Sequence, residues 1–208
     1  SLRGNMALQS NKIKKILAIT AHPDDLELSF GGSVHKWFNQ GCTIDNLIMC
    51  HHQPHKQYLP KTSVILGFAP YYYPLDDVNM RPVLTNDMIE RIESFLNIDE
   101  YDLLITHWKE DWHQDHRMCY HIGNTLRRKQ PLDVWYFDAF PYNQKYKSFE
   151  TNVYVDISDS MESKVKAIRE YKNVPSDYYL RVQAYNAYRG GFINKQYAEC
   201  FKVDTINA

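Results

Sequence analysis

"KILAITAHPDDLELSFGG", residues 15–32, runs from a short apolar stretch into a turn carrying a histidine, a proline and two adjacent aspartates. "KILAIT" (15–20) reads as a buried strand, and "GSVHKWFNQG" (32–41) as a helix closed by Gly41 as its C-cap. A strand that leaves through a polar turn into a helix is the first half of a strand–helix–strand unit. The same alternation continues outward along the chain. "TIDNLIMC" (43–50) predicts a second strand and "YYYP" (71–74) a weak third. "TNDMIERIESFLNI" (85–98) spaces Met88, Ile89, Ile92, Phe95 and Leu96 as one helical face, with Thr85 as N-cap. "YDLLITH" (101–107) is the next strand, followed by a helix over 114–129. "LDVWYFDAF" (132–140) and "TNVYVDIS" (151–158) add two strands, and Asp159 with Glu162 forms a capping box opening the helix "MESKVKAIREYK". This alternation predicts an α/β fold with a mostly parallel sheet. No repeat or linker interrupts it, so one domain over 1–208 is expected, with 1–12 as a flexible or non-native leader.

Composition narrows the function classes. The net charge is -1, with 24 basic and 25 acidic residues, so the basic footprint of a nucleic-acid-binding protein is missing. No stretch approaches the roughly 20 apolar residues of a membrane span. Cys42, Cys50, Cys119 and Cys200 form no CxxC pair, which favours buried thiols in a reducing, cytoplasmic compartment. Sixteen tyrosines, clustered at 70–75, 140–146 and 178–188, suit either core filling or a homo-oligomer contact.

In a sheet of this kind ligands bind at strand ends, where strand order reverses. "AHPDD" follows the first strand, "HHQPH" (51–55) the second, and "HWKEDWHQDH" (107–116) the fourth. Adjacent carboxylates repel each other unless a cation sits beside them. His22 and Asp25, three apart on a turn stiffened by Pro23, can share one cation, with His113 or His116 as a third ligand. Two histidines and one carboxylate with a position left for water is the donor set of a catalytic zinc site, not of a cysteine-closed structural one. Asp25 would then bind the ion while Asp24 accepts a proton from the water it activates. Gly31 and Gly32 can bring the backbone close and present N–H groups at a helix start, but G-x-G-x-x-G is absent, so no dinucleotide fingerprint is present.

"AHPDDLELSFGG" followed about ninety residues later by "THWKEDWHQDHR" resembles the zinc-dependent de-N-acetylases. That family includes the N-acetylglucosaminyl-phosphatidylinositol deacetylases, the mycothiol and bacillithiol deacetylases and the LmbE-like proteins. "VYVDISDSMESKVKAIREYK" and the tail "YAECF" (197–201) extend the resemblance over nearly the whole chain. It implies a Rossmann-like three-layer α/β/α fold and removal of an N-acetyl group from an amino-sugar conjugate. Carried over by position, His22, Asp25 and His116 would be the zinc ligands and Asp24 the general base. His113 would stabilise the tetrahedral intermediate or protonate the leaving amine, and Asp115 would orient it and keep it charged. Imidazole and carboxylate donors leave iron(II) open beside zinc.

One stretch departs from the family. Where relatives carry a T-x-G-E-like turn and then an arginine, this chain has "CHHQPHKQYLPKTSVILGF" (50–68). His51, His52 and His55 are expected to contact substrate or to be plain loop polarity, rather than to hold a second ion. Lys56 and Lys61 stand in for the missing positive charge, and His107 lines the pocket or pairs with Asp111. The departure leaves two further readings open: a deacylase of a non-sugar N-acyl amine, and a non-catalytic sugar- or nucleotide-binding module.

Overall fold

The computed structural model describes residues 13–50, 54–73, 84–128, 132–139 and 149–204. Its strands are β1 (Lys15–Thr20), β2 (Thr43–Ile48), β3 (Ala69–Tyr72), β4 (Leu103–His107), β5 (Asp133–Phe137), β6 (Val153–Asp156) and β7 (Ala198–Asp204). They form one seven-stranded sheet in the order β3-β2-β1-β4-β5-β7-β6. The first five are parallel, and β7 runs antiparallel to both its neighbours. Between them lie helices α1 (Asp25–Asn39), α2 (Leu59–Leu66), α3 (Asn86–Phe95), α4 (Gln114–Leu126), α5 (Met161–Ile168) and α6 (Tyr178–Gly191).

Strand alternation divides the core. Leu17 and Ile19 of β1 pack with Met88, Ile89 and Ile92 of α3 and with Cys119 and Ile122 of α4. Ile16 and Ala18 pack on the other face with Phe30, Val34 and Trp37 of α1 and with Leu66 of α2. A central parallel strand buried on both faces must be apolar throughout, which is why "KILAIT" is legible as a strand. All four cysteines are free thiols, three of them buried. No described helix is long and apolar enough to cross a membrane.

β1 lies between β2 and β4. The chain builds outward on one side of it and then returns to the other, so strand order reverses at the carboxyl ends of β1 and β4. The "AHPDD" and "HWKEDWHQDH" segments leave the sheet at that crevice.

Some elements differ from those read in sequence. The first helix begins at Asp25, with a break at Phe30 (φ -138°, ψ 24°), so "GSVHKWFNQG" is only its second segment. The N–H groups of Gly32 and Ser33 at the restart donate to Glu199 of β7 at 2.9 and 2.6 Å. A Cβ on Gly32 would come within 2.7 Å of Ile157 Cδ1, so glycine is what allows this approach. The predicted capping box does not form: α5 starts from Ser160 without a side-chain cap. Instead Asp156 accepts from the N–H and hydroxyl of Ser158, two residues on, turning the chain before the helix. That helix ends at Ile168, short of the predicted Lys172. By contrast Thr85 caps α3 as expected, accepting the N–H of Met88 at 3.1 Å. Helices α2 and α6 were not legible as helices, and β7 was visible only as the tail "YAECF".

Candidate metal centre

The turn after β1 is fixed by its own polar atoms. Asp25 N–H donates to the His22 carbonyl at 3.3 Å, and His22 N–H donates to Asp25 Oδ2 at 2.7 Å. Asp25 thereby opens α1 with its carboxylate folded back over the turn, beside the ring of His22. From the first turn of α4, His116 reaches the same point. Its Nδ1 lies 2.8 Å from Asp111 Oδ2, and its Nε2 lies 3.4 Å from Asp25 Oδ1 and 3.3 Å from His22 Nδ1. His22 Nδ1 is 3.6 Å from Asp25 Oδ2, and its Nε2 lies 3.2 Å from Asp115 Oδ2. Each histidine thus rests one ring nitrogen on a carboxylate and turns the other toward Asp25, the arrangement by which outer carboxylates fix metal-binding imidazoles.

The donor spacing fits a cation. Ligands of a tetrahedral zinc at about 2.1 Å stand roughly 3.4 Å apart, close to the 3.3 Å between the two imidazoles and to the 3.4 and 3.6 Å from each to its own oxygen of the Asp25 carboxylate. Donor atoms of His22, Asp25 and His116 all fall within 4.8 Å of one another. Two other such groups occur among the described residues, His22–Cys50–Asp115 and His107–Asp111–His116, and each reuses a histidine of the first. The electrostatics agree. Burial alone would lower the pKa of His22, but hydrogen bonds to Asp115 and Asp25 override it and raise it to about 10. His116, likewise opposed by burial, is raised to about 9 by Asp25 and Asp111. Burial would raise Asp25, yet the charged imidazole of His116 beside it holds it well below the carboxylate range. Buried carboxylates here demand positive charge, which a divalent ion supplies as well as protons do.

His107 does not line the pocket. It has no exposed surface and forms the floor of the centre, its ring stacked 4.0 Å from that of His116 and tilted against that of Phe137 at 4.4 Å. Burial and the facing His116 lower its pKa to about 4, keeping it neutral. Its Nε2 accepts the N–H of Ala21 at 3.1 Å, which fixes the floor to the end of β1. Asp111 pairs with His116, not with His107. It also accepts the N–H of His113 at 2.8 Å, so one carboxylate orders the loop and aims the histidine. Its signal in sequence was its place two residues before a helix-capping histidine.

His113 and Asp115 also differ from expectation. His113 caps α4, its Nδ1 accepting the N–H of Asp115 at 3.2 Å, so the neutral ring carries its proton on Nε2. The Asp115 carboxylate lies 3.7 Å from that Nδ1, outside hydrogen-bond range, and serves His22 instead. Burial and the charges of His116 and His22 lower the His113 pKa, where sequence had Asp115 raising it. The ring is about a third exposed, stacked on His116 and edge-on to His22, each at 4.8 Å.

Of the loop after β2, His51 and His52 lie outside the described residues. His55 Nδ1 stands 2.8 Å from Asp24 Oδ2. Lys56 places its ammonium 4.4 Å over the ring of Tyr72, and Lys61 pairs with Glu170 at 2.6 Å. Arg117 donates to the carbonyls of Asp111 and Trp112 at 2.7 Å, bracing the loop as a cap.

No family model matches the chain. The diacetylchitobiose deacetylase of Thermococcus kodakarensis is 25% identical over 228 residues, covering 91% of this chain and 82% of that protein. The N,N'-diacetylchitobiose deacetylase of Pyrococcus horikoshii, solved with an inhibitor, superposes with a TM-score of 0.72 at 19% identity, over 92% of this chain and 84% of that one. A 4-carboxy-2-hydroxymuconate hydratase from Pseudomonas putida superposes with a TM-score of 0.79 at 16% identity, over 94% and 98% of the two chains. One fold therefore carries both amide hydrolysis and hydration, and the reaction has to be argued from the site. In sequence and in fold, the chain resembles the LmbE-like de-N-acetylases.

Proposed function

We propose that this chain is a metal-dependent deacetylase that removes an N-acetyl group from an amino-sugar conjugate. The convergence of His22, Asp25 and His116 at the crevice between β1 and β4, with Asp24 beside them, carries the reading. The likeness to a diacetylchitobiose deacetylase supports the substrate class. His22, Asp25 and His116 would hold the ion, and their donors suit zinc and also iron(II). When bound, the ion supplies Lewis acidity, acidifying water and polarising the amide carbonyl.

The remaining chemistry belongs to side chains. Asp24 takes the proton of the attacking water and returns it to the amide nitrogen, which leaves only once protonated. His113 presents Nε2–H as a hydrogen-bond donor to the carbonyl oxygen as negative charge builds there, a role a neutral imidazole fulfils. Asp111 and Asp115 hold the rings of His116 and His22, so little reorganisation accompanies the reaction. His107 seals the floor against water.

The test is acetate release from a panel of N-acetylglucosamine conjugates, run beside N-acyl amino acids and a muconate hydration assay, with and without added zinc or iron(II). Metal-dependent acetate release from the sugars supports the reading. Turnover of N-acyl amino acids alone would move the substrate class, hydration alone would move the reaction, and no turnover with saturated metal would favour a binding module.

A further inference from the structure

We propose that His55 is a positioning residue that holds Asp24 in place as the base, within a clamp completed by Tyr171. The proposal rests on the reading of Asp24 as the proton acceptor.

Two neighbouring carboxylates with different tasks must be kept apart. Asp25 is surrounded by His22, His107 and His116. Asp24 stands at the N-cap of α1, yet its side chain makes no capping hydrogen bond. Among the described residues its carboxylate is met instead by His55 Nδ1, 2.8 Å from Oδ2. Left untethered, this carboxylate could swing onto the cation as a fourth ligand. Held through Oδ2, it keeps Oδ1 for a proton.

The clamp has a second jaw. Tyr171, three residues past the end of α5, is almost wholly buried, and its hydroxyl contacts the Pro23 carbonyl and, at 2.7 Å, Glu27 Oε1. Its ring meets the edges of His55 and Tyr58 at 5.4 and 5.5 Å. One tyrosine therefore braces both the backbone before Asp24 and the imidazole on its carboxylate. Thr62 of α2 also bonds Glu27, tying the segment after β2 to the same frame. His55 and Asp24 side chains are both partly exposed, at 19% and 15%, so the pair borders the open side of the centre. Burial lowers and the Asp24 hydrogen bond raises the His55 pKa, with a net rise, which keeps Nδ1 a donor.

His55→Ala, His55→Asn and His55→Gln test the proposal. Asparagine carries an N–H donor as many bonds from Cα as Nδ1, whereas glutamine carries it one bond further. We expect His55→Ala and His55→Gln to lower kcat about ten- to a hundredfold with KM and metal content unchanged, and His55→Asn to recover most of it. In an Asp24→Asn background, His55→Ala should cost nothing more. A raised KM with kcat unchanged would make His55 a substrate contact and overturn the proposal. Unaltered kinetics in His55→Ala would also overturn it, whereas wild-type turnover in Asp24→Asn would instead remove the base reading. A readout independent of turnover is the crystal structure of metal-loaded His55→Ala. The Asp24 carboxylate should rotate from its wild-type position, and an unmoved carboxylate would contradict the clamp.

Discussion

Two clusters of buried charge flank α1, and they are built on opposite principles. Near its middle, Lys164 and Glu199, each with no exposed side-chain surface, meet at 2.6 Å. Lys164 spends its three N–H donors on Glu199, Asn186 and the Ser29 carbonyl, and Glu199 accepts from Gly32 and Ser33 besides. Positive meets negative, polar atoms are paired, and the group mends the break at Phe30. At the start of α1, three carboxylates, Asp25, Asp111 and Asp115, face His22, His107 and His116, of which only His22 and His116 are charged, so negative charge outnumbers positive. A closed ion pair fastens β7 to α1, whereas the second cluster carries more carboxylates than protonated imidazoles. Burial of charge alone therefore does not mark a functional site; incomplete neutralisation does.

The sharpest way to break this contrast is to remove a donor from the open cluster. His116→Ala should abolish stoichiometric metal binding, read by elemental analysis, and reduce deacetylation to background while the protein stays folded. Asp24→Ala comes next: kcat should fall about 10²- to 10⁴-fold with metal content unchanged, which separates the base from the ligands. In the closed cluster the loss should appear in stability instead. Lys164→Met leaves Glu199 buried and unpaired and should cost about 3–5 kcal/mol in urea denaturation, without changing the metal content of the folded fraction. Asp111→Asn should weaken metal affinity about 10- to 100-fold by loosening His116. The metal-free protein should also respond to pH, gradually rather than through one lost contact. His22 and His116 titrate near 10 and 9 in the fold, against 6.5 in the unfolded chain. Their stabilisation is complete below pH 6.5 and is lost as pH rises through 9 and 10, so the urea midpoint should decline over that window. Zinc, which replaces the protons, should flatten the decline.

How much of this was legible from sequence follows from the range of each interaction. His22, Asp25 and His116 stood out because each motif is local and lies between a strand and the helix that follows it. That the polar loops leave one edge of the sheet followed from the alternation of elements, whereas the reversal between β1 and β4 is seen only in the strand order. What sequence missed was partner choice. Asp111, Asp115, His107 and His113 crowd one ten-residue segment, and which carboxylate meets which imidazole is decided by the opposing turn of β1, about ninety residues away. The family resemblance pairs Asp115 with His113, whereas in the fold its carboxylate meets His22. The first half of α1 was hidden by its break, since the Gly31-Gly32 pair reads as a helix start and Glu199 makes it one. The α6 helix escaped because its buried positions, Tyr178, Val182, Asn186 and Arg189, mix polar with apolar residues. His55 reads in sequence as a substrate contact or as plain loop polarity, and nothing local signals the Asp24 carboxylate that lies 2.8 Å from it.

Anomalous diffraction from crystals of the protein grown with zinc tests the central claim most directly. A single strong peak within bonding distance of His22 Nδ1, an Asp25 carboxylate oxygen and His116 Nε2, with Asp24 outside that distance, is the expected result. A peak held by other residues, or none at these three in the presence of saturating zinc, would contradict it.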